Sequence, residues 1–189
     1  MSRAARQLSR GAVVAVVAGA VVLALASTVV VGGLSGGFRV RGRTFGLLRC
    51  SPPTLAGSVV QVTLRDAGSG GRMMGGGLMM VSLHASPGGV ASGQVSFVAR
   101  NAGGLVHELV VLPLPADGPG TRPTGADGKI DESQSLGESS RSCAAGAGDG
   151  IAPGATGWVT VTLAPGRYEL VCDEPWHYAN GMFDVVTVA

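Results

Sequence analysis

From residue 58 onward, apolar and polar residues alternate at period two in short runs separated by turn residues. In SVVQVTLR (58–65), Val60, Val62 and Leu64 fall on one face. The runs LMMVSLH (78–84), GQVSFVA (93–99), VHELVVL (106–112), GWVTVTL (157–163), RYELVC (167–172) and MFDVVTV (182–188) follow the same rule. Pro87-Gly88-Gly89, Asn101-Ala102-Gly103-Gly104 and Ala164-Pro165-Gly166 supply turn chemistry at the junctions. Seven short strands with no amphipathic helix among them predict an all-β fold, an antiparallel Greek-key β-sandwich.

Residues 114–152 break the pattern. They lack apolar periodicity and read as a long loop with room for one helical turn around 131–138. ADGKIDE is not a calcium loop, because its acids do not alternate at the required spacing and its glycine is misplaced.

The N-terminal section obeys a different rule. Residues 1–10 carry Arg3, Arg6 and Arg10 and no acid, and Gly11 to Leu34 contain no charge. An uncharged run of that length is enough for a transmembrane helix at about 20 residues per crossing. The segment 11–34 therefore reads as a signal-anchor. A cleaved signal peptide is the alternative, since Ala24-Leu25-Ala26 fits a small-x-small cleavage pattern. Arginines stand on both sides of the run, the later ones being Arg39, Arg41, Arg43 and Arg49, so charge bias leaves the orientation open. Residues 35–57 read as a linker and 58–189 as the folded domain.

Composition narrows the choice of function. A net charge of +2 gives no reason to expect a nucleic-acid partner. Of the three cysteines, Cys172 lies in the best candidate site. If it is a metal ligand, Cys50 and Cys143 are left to pair as a disulfide, which implies an oxidising compartment; two unpaired thiols in a reducing one is the bland alternative.

The candidate site lies near the C-terminus. Cys172, His177 and Met182 occur as C-x4-H-x4-M, with Cys172 closing one strand and Met182 opening the next. A hairpin-like loop between them lets all three side chains meet at one end of a sandwich. A trigonal arrangement needs a second imidazole, and His107, after a Gly-rich turn, is the best candidate. Two imidazoles, a thiolate and a weak axial thioether form the ligand set of a blue-copper centre. Met73, Met74, Met79 and Met80 cluster in GRMMGGGLMM, either as strand packing with a loop tip or as an auxiliary Cu(I) site. His84 is the one histidine outside these motifs, and three histidines cannot build a trinuclear copper cluster.

The run PGRYELVC followed by C-x4-H-x4-M, with N-x-G…H upstream, resembles the cupredoxin family over about residues 58–189. Its loop length is similar to the rusticyanin and sulfocyanin type. The resemblance implies one type 1 copper ion held by His107, Cys172, His177 and, axially, Met182. It implies an electron carrier without catalytic residues or a small-molecule substrate, meeting redox partners such as a cytochrome or terminal oxidase. Copper capture, storage or delivery is the second reading, and a metal-free interaction module the third. The expected location is the cell membrane, with the domain on the extracytoplasmic side, or secretion if the signal is cleaved. Two departures stand out: Pro175-Trp176 precedes His177 where many such loops have Pro-Gly, and Glu108 follows His107 where several carry Asn or Ser.

Overall fold

The computed structural model describes residues 39–40, 43–44, 50–66 and 80–189. The expected membrane segment 11–34, along with Met73, Met74 and Met79, lies outside the described residues. Among the described residues, no helix is long and apolar enough to cross a membrane.

The chain divides into two units, Met1–Leu47 and Leu48–Ala189. In the first, β1 (Arg39–Val40) pairs antiparallel with β2 (Arg43–Thr44). The second is a two-sheet sandwich built from β3 (Ser58–Asp66), β4 (Val81–Ser86), β5 (Gly89–Val90), β6 (Gly93–Asn101), β7 (Leu109–Pro113), β8 (Gly137–Ser139), β9 (Thr156–Leu163), β10 (Gly166–Val171) and β11 (Phe183–Val188). One sheet runs β4-β3-β6-β9 and the other β5-β11-β10-β7-β8.

The all-β expectation holds, but the sheets are mixed rather than purely antiparallel. β3 pairs parallel with β6, and β11 with β5. The cause is connectivity: between β4 and β6 the chain crosses to the other sheet as β5. It then re-enters on the far flank of β3, running in the same direction.

Period-two alternation has its physical origin in the core. Val60, Val62 and Leu64 are at most 1% exposed and pack against Phe97, Val111, Leu170 and Val186 from both sheets. In β7 and β10 this alternation is lost, because Leu109–Leu112 and Tyr168–Val171 are buried on both faces. The outer face carries Val110, Leu112, Val171 and Tyr178, and Ile130 from the long loop seals it. A strand buried on both sides reads as a continuous apolar run, as LVVL does.

The long loop is therefore part of the architecture. No helical turn forms at 131–138; instead Gly137–Ser139 adds a strand to the edge of β7, which satisfies backbone groups there. Earlier in the loop the anchor is Glu169 of β10, which has no exposed surface and accepts hydrogen bonds from Gly120 N (2.7 Å) and Tyr178 Oη (3.1 Å) through Oε1. Its Oε2 accepts from Arg122 Nε at 2.8 Å. That ion pair fastens the loop to β10.

Cys50 and Cys143 form a disulfide that ties the start of the unit to the second half of the loop. Residues just after Cys50, expected as linker, also touch the sandwich: Ser96 Oγ donates to Ala56 O at 2.7 Å.

Candidate metal centre

Four strand ends meet at one tip of the sandwich. β3 finishes at Asp66, His107 stands two residues before β7, Cys172 follows β10, and Met182 precedes β11. Each residue is placed by main-chain bonds. His107 N donates to Ile151 O (3.3 Å) and Ile151 N to His107 O (2.8 Å), so His107 forms an isolated bridge and β7 begins only at Leu109. Upstream, buried Asn101 organises the turn. Its Nδ2 donates to Leu105 O and Ile151 O, both at 2.7 Å, while its Oδ1 accepts from Gly103 N at 2.9 Å.

Local rules also shape the Cys-to-Met loop. His177 leads into a single 3-10 turn, Tyr178–Asn180, which is closed by Gly181 in the left-handed region at φ 89°. Met182 N then donates to His177 O (3.1 Å), and Cys172 N to Met182 O (3.1 Å). The main chain of Met182 is thus bonded to both neighbouring candidate ligands.

The donor atoms converge. His107 Nδ1 lies 3.2 Å from His177 Nδ1 and 3.8 Å from Cys172 Sγ, and His177 Nδ1 lies 3.3 Å from the same sulfur. All three residues are buried, His177 alone retaining 5% exposure. A triangle with those sides is inscribed in a circle of about 2.0 Å radius. That matches metal–nitrogen distances of about 2.0–2.1 Å and falls slightly inside a metal–sulfur distance of about 2.3 Å. Met182 is fully buried in the same core cluster as Cys172.

Burial disfavours charge on the donor atoms of the triangle. Burial pushes the Cys172 thiol up to about 12. Burial, reinforced by the neighbouring His107, pulls His177 down to about 4; burial also lowers His107, against the opposing pull of Asp66. The sulfur does receive backbone donors: Glu108 N points at Cys172 Sγ at 3.2 Å, and the Glu174 amide also opposes the rise of the thiol. The backbone amide therefore supplies the hydrogen bond that the Glu108 carboxylate cannot. Glu108 itself is raised to about 7, mainly by burial, with Lys129 pulling the other way.

The remaining residues singled out from the sequence are placed as follows. Trp176 is half exposed and has a left-handed backbone (φ 69°). Its indole lies on Gly128, where an added Cβ would come within 2.9 Å of the ring. It therefore covers the long loop rather than the core. His84 sits on β4, 3.5 Å from Asp184 and largely exposed. Met80 is 64% exposed just before β4. Sequence reasoning missed Asp66, whose Oδ1 meets His107 Nε2 at 3.0 Å. No motif announces it: it is one acid at the end of a strand.

No protein-family model matches the chain, and no curated protein matches it. Among solved structures the chain is similar to sodium-dithionite-reduced auracyanin from the photosynthetic bacterium Roseiflexus castenholzii, at 22% identity and a TM-score of 0.43, covering 70% of this chain and 99% of that one. It is also similar to auracyanin B, at 21% identity and TM-score 0.44, covering 75% of this chain and 95% of that one. Rusticyanin from Thiobacillus ferrooxidans gives 20% identity and TM-score 0.40, covering 82% and 86% respectively. Independently of these likenesses, His107, Cys172 and His177, with Met182 buried in the same core, offer the donor types of a type 1 copper site.

Proposed function

We propose that this protein binds one copper ion and carries single electrons between redox protein partners. The observation that carries the reading is the buried triangle of two imidazole nitrogens and one sulfur, whose size suits a first-row metal. When bound, copper supplies a one-electron couple between its cuprous and cupric states. In this proposal His107 Nδ1, His177 Nδ1 and Cys172 Sγ would hold the ion, and the buried Met182 thioether would be a fourth, weaker donor. The protein excludes water: every proposed ligand is at most 5% exposed. The Glu108 N–H bond to sulfur and the main-chain bonds around Met182 keep the donors in place whether or not charge has moved.

Buried donors speak for the carrier over copper delivery, which requires an exchangeable site open to a partner. The Cys50–Cys143 disulfide supports an oxidising location, consistent with a domain tethered outside the cytoplasm by segment 11–34. Transient redox contacts use small interfaces, below about 1,200 Å². A cytochrome or terminal oxidase is the proposed kind of partner.

The test is to express residues 48–189 with copper and record spectra of the wild type and Cys172→Ser. An intense absorption near 600 nm is expected from the resemblance to type 1 centres, with loss of the band in the variant. A colourless wild type containing less than one copper per chain refutes the reading.

A further inference from the structure

The copper reading uses one nitrogen of His107 and leaves the other to Asp66. Asp66 ends β3 with its side chain only 7% exposed, and His107 has no exposed surface. Asp66 Oδ1 accepts from Gly104 N at 2.8 Å and Leu105 N at 3.0 Å, and it meets His107 Nε2 at 3.0 Å. The approach is close enough that a Cβ on Gly103 would stand 1.9 Å from that oxygen. The carboxylate is thus built into the turn that delivers the imidazole.

A carboxylate only accepts, so the proton between the two groups belongs to Nε2. A neutral imidazole carrying that proton has its free lone pair on Nδ1, the atom facing Cys172 and His177. The negative charge stands one imidazole ring away from the triangle and is shielded from water. In metal proteins, such outer partners fix the ring tautomer and raise ligand basicity. A carboxylate also favours the more positive state of any ion on the far side of the ring.

We propose that Asp66 is a positioning residue for the metal: it locks His107 in its Nε2–H form and holds the reduction potential down. The tuning half of the proposal rests on the copper reading, while the tautomer half does not need copper at all.

Two measurements separate them. In metal-free residues 48–189 with 15N-labelled histidine, long-range proton–nitrogen NMR is expected to show His107 protonated at Nε2. Asp66→Ala is expected to add the Nδ1–H form. A wild-type His107 protonated at Nδ1, or an Ala variant that folds with an unchanged tautomer, overturns the proposal. The wild-type spectrum decides even where the Ala variant does not fold.

In the copper-loaded protein, Asp66→Asn keeps an oxygen for the two backbone amides and removes the charge. It is expected to shift the oxidised-to-reduced ratio about tenfold toward the reduced form, or about 59 mV upward for one electron. Asp184→Asn, which removes a carboxylate paired with His84 instead, is expected to leave the potential in place. An unmoved potential in Asp66→Asn, or an equal shift in Asp184→Asn, overturns the tuning. A protein that takes up no copper refutes the copper reading, and the NMR result still decides the role of Asp66.

Discussion

Metal binding by this site should release one proton per ion from the ligand set, and the affinity should climb with pH accordingly. The Cys172 thiol is held near 12, against an ordinary value of 9.0, chiefly because burial penalises the thiolate. At pH 7 only roughly one molecule in 10^5 carries the sulfur anion, so binding must supply about 7 kcal/mol to remove that proton. The two imidazoles behave differently. Burial holds His177 near 4, so above pH 6 it has no acidic proton to release, and burial lowers His107 from its ordinary value against the pull of Asp66. Below the thiol pKa, metal and proton compete for the sulfur. Above the ordinary imidazole range, apparent affinity therefore rises about tenfold per pH unit.

Glu108 needs separate control, because it lies near 7 beside the triangle and would shed some of its own proton to an arriving cation. The experiment is best run in Glu108→Gln. Cobalt(II), which does not oxidise thiols, can be titrated against a chromophoric chelator of known pH dependence at half-unit steps. A flat profile would mean that the thiol is already ionised. A slope near two or three would mean that the histidines hold protons too. Either result refutes the account of a neutral, preformed pocket.

Other outcomes follow from the same structure. Glu169→Met strands the Arg122 guanidinium and two further donors, and should cost about 3–5 kcal/mol in urea unfolding. The double variant Glu169→Met/Arg122→Met should recover most of that loss, and no recovery would show that the charge pair is not the origin. Replacing Cys50 and Cys143 by Ser removes a link spanning 93 residues and should lower stability by about 2–4 kcal/mol. The visible spectrum should survive, because neither cysteine belongs to the triangle; a lost band would show that the disulfide holds the ligands in place.

Much of this was legible because the physics is local. Alternation in 58–65 marks the inner face, where Val60, Val62 and Leu64 are indeed buried. The C-x4-H-x4-M spacing straddles two paired strands, so those ligands meet wherever the hairpin forms. His107 could be placed only by its turn, and the structure sets it just outside β7 because Ile151 claims its backbone. The illegible parts depend on distant partners. Gly137–Ser139 has no strand character of its own and becomes a strand only because β7 offers an edge. The parallel pairing of β3 with β6 is a matter of path, which residue patterns do not encode. Asp66 acquires its meaning from a histidine 41 residues away.

The origin of the hydrogen bond to sulfur has a consequence for variation. Since the donor is the peptide nitrogen of residue 108, every amino acid except proline can occupy that position and still deliver it. The side chain there is uncoupled from this duty, leaving charge at position 108 as an adjustable dial beside the metal pocket.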